Sequence, residues 1–292
     1  MKRTTLLPLS VAAGRARVVS LATLLVAGAC AGGPGTGGGS APTLSFAPAA
    51  GGALAYLQGD TAVITVDVGG QTMDVTAVSR AVLDVQFEPA PAGVRVSATF
   101  RELDASLTNP VAPPQRMTAA DVEGPLVFDL DSRGRATVVS TPEVSSAAAS
   151  LLGPTEMAHS FFPRLPDARP APGMAWTDTI AYQAEEGPGS VVARTVMTYT
   201  VVGDTVVAGR SLLRVDLAGN VTRTLEGATA GMSVLQDMTG TVRGHFLWDV
   251  ARGVLHSQEA HSELTGVMDV DAAPYPMDMT VRTVSRTGLA GG

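Results

Sequence analysis

Val94-Arg95-Val96-Ser97-Ala98-Thr99-Phe100 alternates apolar and polar residues without a break, so Val94, Val96, Ala98 and Phe100 share one face of an extended strand. The same period of two recurs on both sides of it. Ala62, Ile64, Val66 and Val68 alternate with Val63, Thr65 and Asp67. Met197, Tyr199 and Val201 alternate with Thr198 and Thr200, and Leu213, Val215 and Leu217 alternate with Arg214 and Asp216. Valine and threonine enrichment adds strand propensity. Strands with one wet and one covered face belong to antiparallel sheet. From about residue 51 to 288 the chain therefore reads as an all-β, mainly antiparallel body: a strongly curved sheet, half-barrel or sandwich of long hairpins.

Turn chemistry falls between the strands. Val68-Gly69-Gly70-Gln71 suits a two-residue hairpin, and Asp131-Ser132-Arg133-Gly134-Arg135 suits a turn with glycine in the left-handed region. Asp249-Val250-Ala251-Arg252-Gly253 resembles the latter. Val202-Gly203-Asp204 and Ala208-Gly209-Arg210 are expected to bracket a short strand at Thr205–Val207. The spacing predicts a helix over Pro142–Leu152, with Thr141 as N-cap and Gly153 as its stop, and a weaker helix over Thr155–Phe162. Each side of the Pro-rich connection Arg164–Gly173 carries hairpins and then an aromatic strand running into an Asp-to-Gly turn. Two similar halves, about 51–141 and 174–287, are one expectation; an unrepeated meander is the other.

The chain has 292 residues, of which 45% are hydrophobic and 16% charged, which excludes wholesale disorder. The net charge is -7, and the first acid is Asp60, so loss of the basic N-terminus leaves an even more acidic remainder. An acidic surface repels phosphate, and no nucleic-acid partner is expected. Lys2 is the sole lysine and Cys30 the sole cysteine. A chain processed past Lys2 has no Schiff-base or phosphate-loop lysine, and one cysteine closes no internal disulfide.

Residues 1–17 are basic, and Val18–Ala29 is an uncharged apolar run that ends at Cys30. It is short for a transmembrane helix and has the form of a signal-peptide core, assigning residues 1–29 to a signal. No charge occurs from Cys30 to Gly59, and Ala31–Ser40 is AGGPGTGGGS. Residues 30–50 are therefore expected to be a flexible tether.

A search for chemistry finds no serine elbow, no His-Glu-x-x-His and no calcium loop. His256 and His261 fall on opposite faces of a strand, and a hairpin centred on Ala251 would set Arg243 opposite Glu259 and Phe246 opposite His256. Asp129, Asp131 and Glu185-Glu186 read as solvated turn and loop acids. Met277 and Met279 share a strand face; the thioethers suit adaptable packing or a yielding apolar lining, or else Cu(I). The stripe Val144, Ala147, Ala148, Leu151 and Leu152 could cover one mouth of a curved sheet. The ligand-contact candidates are therefore Val144, Ala148, Leu151, Met277 and Met279. No catalytic residue, metal ligand or cofactor is expected.

Val26-Ala27-Gly28-Ala29-Cys30 resembles the lipobox of bacterial lipoproteins. That resemblance implies cleavage before Cys30, lipid on its thiol and amino group, and anchoring to a membrane of the cell envelope. Ala31, where an aspartate would signal retention at the inner membrane, implies the outer one. The lipobox, tether, long alternating strands and Ala-rich stretch together look like lipoproteins of the LolA, LolB and LppX type, over roughly Gly52–Thr287. The likeness implies a curved antiparallel half-barrel that carries acyl chains. The leading expectation is a non-catalytic envelope lipoprotein binding a lipid or other apolar small molecule. The alternatives are a scaffold bound to another envelope protein, and an exported hydrolase. Cys30→Ser is expected to leave an unprocessed precursor without acyl mass, measured by mass spectrometry of the membrane fraction; normal anchoring of that variant would refute the assignment.

Overall fold

The computed structural model describes residues 44–46, 48, 52–91, 93–145, 151–186, 189–229, 232–271 and 275–291. The expected signal, Cys30 and most of the expected tether lie outside them. The strands are β1 (Ala53–Val68), β2 (Gln71–Ala90), β3 (Gly93–Asn109), β4 (Ala112–Thr118), β5 (Val122–Glu123), β6 (Leu126–Asp131), β7 (Ala136–Ser140) and β8 (Glu143–Val144). One helix follows, α1 (Pro154–Ser160). The second series is β9 (Ala175–Glu186), β10 (Gly189–Val207), β11 (Arg210–Thr229), β12 (Met232–Asp249), β13 (Val254–Val270) and β14 (Met277–Leu289). Neighbouring strands pair antiparallel in the order β7-β6-β3-β2-β1-β14-β13-β12-β11-β10-β9, with β4 on the outer part of β3. The sheet curls through 277° and stays open, so the all-β half-barrel is the observed fold. The two expected halves are parts of this one sheet, joined where β1 pairs with β14 from Tyr56↔Leu289 to Val66↔Met279.

Curvature has a local cause. Gly240, Gly244 and Gly266 lie on the concave face of β12 and β13, where an added Cβ would run into the Glu263, Glu259 and Asp237 carbonyl oxygens of the adjoining strands. With hydrogen in place of a side chain the strands can bend toward one another there. Elsewhere the turns behave as their chemistry dictates. Gly69 and Gly70 both have positive φ, and Val68 pairs with Gln71. Asp131 Oδ1 accepts from the amides of Arg133 and Arg135, and Asp249 Oδ1 accepts from that of Arg252, so the two Asp-to-Gly turns do share a device.

Three local expectations are corrected. Glu143 and Val144 form a strand that pairs with β5, and the Ser145 amide donates to the Asp121 carbonyl, so no helix starts at Pro142. Residues 146–150 of that expected helix are outside the described residues. The helix that forms is the weaker one: Gly153 is its N-cap and Pro154 its first residue, a start where a stop was expected. Gly203 makes a bulge within β10 rather than a turn, so Thr205–Val207 simply ends that long strand. A bulge in the β12–β13 hairpin shifts its register, so that Arg243 faces His261 and Phe246 faces Gln258.

The core fills one end of the trough. Phe161 and Phe162 leave α1 and enter the concave face. Phe162 meets the rings of Phe46, Tyr56, Phe87, Phe128 and Phe161 at centroid separations of 4.8–6.3 Å. Leu44 and Phe46 are buried in the same cluster, with Phe46 edge-on to Trp248 at 4.8 Å, so the packed body begins by Leu44 and not at residue 51. Tyr56 donates its hydroxyl to the Leu255 carbonyl at 3.0 Å, satisfying the polar end of a ring that is otherwise enclosed. A smaller cluster of Val66, Met238, Leu264 and Met279 packs at the other end.

The free edges are drawn together at the core end. Asp178, on the outermost strand β9, is buried and lies 3.4 Å from Arg133 and 3.2 Å from Arg135, both in the β6–β7 turn. Arg164, also buried, donates to the Gly134 carbonyl of that turn and to the His159 carbonyl of α1. Replacing Phe162 by alanine is expected to cost about 3–5 kcal/mol, read as a lowered denaturant midpoint, whereas Thr239→Ala on the convex face should stay within about 0.5 kcal/mol.

Candidate functional site

Pairing assigns every second residue of the long strands to the concave face. On β1 the row is Tyr56, Gln58, Asp60, Ala62, Ile64 and Val66, and on β14 it is Leu289, Thr287, Ser285, Thr283, Val281 and Met279. Read from the packed end outward, each row begins apolar, turns polar in the middle and becomes apolar again. On the convex side the intervening residues of β12 and β13 are mostly polar or charged, with Asp237, Thr239, Thr241, Glu263 and Thr265 exposed alongside the apolar Leu235 and Val267.

A cavity of about 380 Å³ opens on the concave face where α1 stops covering it. Its apolar wall includes Ile64, Phe100, Leu107, Met117, Leu151 and Met157. Its polar rim is Gln58, Asp60, Ser79, Thr283, Ser285 and Glu156. Asp60 Oδ2 accepts from Gln58 Nε2 and from Ser79 Oγ, each at 3.3 Å. Burial pushes the Asp60 carboxyl above the usual carboxylate range; hydrogen bonds from Ser285, Ser79 and Gln58 pull the other way, and Glu156 adds an upward push. Across the trough, Arg223 of β11 reaches Glu156 of α1 at 3.5 Å. Beside it, His159 of α1 stacks on Tyr182 of β9 at 5.1 Å, and burial holds its imidazole below the ordinary value.

The expected ligand contacts divide. Leu151 lines the cavity. Val144 packs against the main core, and Met277 and Met279 belong to the smaller cluster, because the register carries β14 past the cavity before reaching them. Ala148 and Cys30 lie outside the described residues. The cavity is bounded by the concave sheet and α1, not by the expected helix over Pro142–Leu152, and Phe100, Met117 and Met157 line it. Asp129 is tied to Arg95 at 2.7 Å, which holds its carboxyl below the usual range, and Asp131 is consumed by its turn. Among the described residues no group of three or more His, Cys, Asp or Glu side chains could hold a metal ion. The polar rim was missed from sequence, although extending the Ala62-Ile64-Val66 row backwards by two and by four residues places Asp60 and Gln58 on the inner face.

No family model matches this chain, and no curated protein matches it. Solved structures that resemble it include lipovitellin, in a structure concerned with lipid–protein interactions, at 12% identity and TM-score 0.46. That match covers 84% of this chain and 25% of the other, so the chain spans about a quarter of lipovitellin's length. Neisserial surface protein A matches at 8% identity and TM-score 0.24, over 80% of this chain and 97% of that one. A BenF-like porin from Pseudomonas fluorescens matches at 10% identity and TM-score 0.20, over 81% and 98%. At these TM-scores the likenesses carry no argument about function.

Asp60 yields a pH prediction. Its carboxyl holds a proton more tightly folded than unfolded, so stability is lost as pH rises from the unfolded value near 3.8 through the raised folded value, and the loss persists above it. Asp60→Asn is expected to gain stability relative to the parent as pH rises through that window, measured as the difference in Tm between the two proteins; a constant difference from acid to neutral pH contradicts the shift.

Proposed function

We propose that this chain is a non-catalytic lipoprotein of the bacterial cell envelope, anchored through Cys30 at the outer membrane, whose curled sheet binds a single-chain lipid or similar apolar molecule in the cavity beside α1. The observation that carries the reading is the cavity's division into an apolar wall and a polar rim on the inner face of the trough. Burying an acyl chain there is worth about 0.8 kcal/mol per methylene, enough over several methylenes to offset the cost of ordering the ligand. The inner row that lines the cavity, from Gln58 to Ile64, runs about 20 Å at roughly 3.3 Å per residue, more than half the roughly 30 Å hydrocarbon core of a bilayer, so it matches one acyl chain in length. Methionines at both ends of the trough let the lining adapt to that chain.

The polarity of the sheet favours this reading over a spanning barrel. Membrane barrels are apolar outside and polar inside. Here Asp237, Thr239, Glu263 and Arg282 point outward among only scattered exposed apolar residues such as Leu57, Leu235 and Val267, while Val66, Met238, Leu264 and Met279 are buried inside. A scaffold for another envelope protein is the competing reading, and it predicts no small ligand. Titration of the full chain with N-phenylnaphthylamine is expected to give saturable fluorescence enhancement, and Leu151→Trp is expected to weaken it about tenfold by filling the cavity. Absence of saturable binding, or an unchanged affinity in a folded Leu151→Trp variant, would favour the scaffold.

A further inference from the structure

Resting on the reading of this cavity as a lipid site, we propose that its ligand bears a neutral headgroup that donates hydrogen bonds, a polyol ester of a fatty acid and not the free acid. The rim is built for donors. Asp60 and Glu156 are both carboxylates and face the same space. Gln58 spends its amide Nε2 on Asp60 at 3.3 Å, which leaves its Oε1 buried and without a hydrogen-bond partner. Arg223 turns its Nη2 onto Glu156 at 3.5 Å and keeps its Nε buried without a partner, so its charge is spent on the α1 carboxylate.

Charge and hydrogen bonding therefore select in the same direction. A carboxylate headgroup would bring a further negative charge against the buried Asp60, with the half-exposed Glu156 adding a weaker repulsion. It would also have no proton to offer Gln58 Oε1. Hydroxyl groups reverse both defects: they add no charge, and they donate to the Gln58 amide oxygen and to the Asp60 carboxylate. Ser79 and Ser285 can then accept or donate as the bound hydroxyls require. The acyl chain leaves the rim along Leu107, Met117 and Leu151, which carry no polar side-chain group to reward a charged or branched terminus.

The test is displacement of N-phenylnaphthylamine from the full chain at neutral pH by two ligands with the same chain, palmitate and monopalmitoylglycerol. The ester is expected to displace the probe at least about tenfold more tightly. Asp60→Asn removes one of the two repelling charges and should narrow that gap by strengthening palmitate. Glu156→Gln tests the same repulsion from α1 and serves where the first variant does not fold. Palmitate equal to or tighter than the ester in the parent protein overturns the headgroup assignment, as does a gap unchanged in both variants. A probe that never binds sinks the lipid site itself, and this inference with it; a probe displaced equally by both ligands leaves the site standing and removes only the headgroup.

Discussion

Phe162 packs edge-on or tilted against five aromatic rings contributed by the segment before β1 and by β1, β2, β6 and its own neighbour, and it stands just past the end of α1. An open sheet curled through 277° has an inner face that is apolar at its ends and two edges that do not pair with each other. Something has to occupy the inside of the bend, or that face is wet. The short helix and its two phenylalanines do so at one end, and the ionic contact of Arg133 and Arg135 with Asp178 holds β9 near the β6–β7 turn around them. Because α1 has only seven residues, the plug is short, and the remainder of the trough is left to the polar rim and the methionine cluster. The cavity exists because the plug stops there.

The glycines of β12 and β13 belong to the same logic. Gly240, Gly244 and Gly266 occupy inner positions where valine or leucine would extend the core, and they give up that burial to let neighbouring strands close in. Around the cavity, Ala62, Ala77 and Ala81 line the floor and leave room that larger side chains would fill. Small side chains serve both ends: hydrogens make curvature, and methyl groups make room.

Much of this architecture is legible in the sequence because strand alternation is local. Val94 to Phe100 shows its faces within seven residues, and the glycine pair at 69–70 marks its own turn. The helix was misplaced because local preference and tertiary pairing disagreed. Ala-rich 146–149 and Pro142 read as helical, yet Val122 offers Val144 a strand partner from far upstream, and nothing near Val144 announces it. The hairpin register failed for a similar reason, since a bulge is invisible to counting outward from a turn centre. The site was harder still. Gln58, Ser79, Glu156 and Ser285 come from four separate elements, and their convergence depends on β1 meeting β14, which no spacing within either strand encodes.

That meeting of β1 with β14 sets the order in which the molecule can be made. Tyr56 pairs with Leu289, and β13 and β2 flank the pair, so the centre of the finished sheet is its last-synthesised strand seated beside its first. Until β14 arrives, the inner edge of β1 and that of β13 are both unsatisfied, and the loop to be closed between them is nearly the whole body. Such non-local pairing gives high contact order and slow folding. The sheet therefore stays open until β14 is in place, because that strand supplies the pairing that joins β1 to β13.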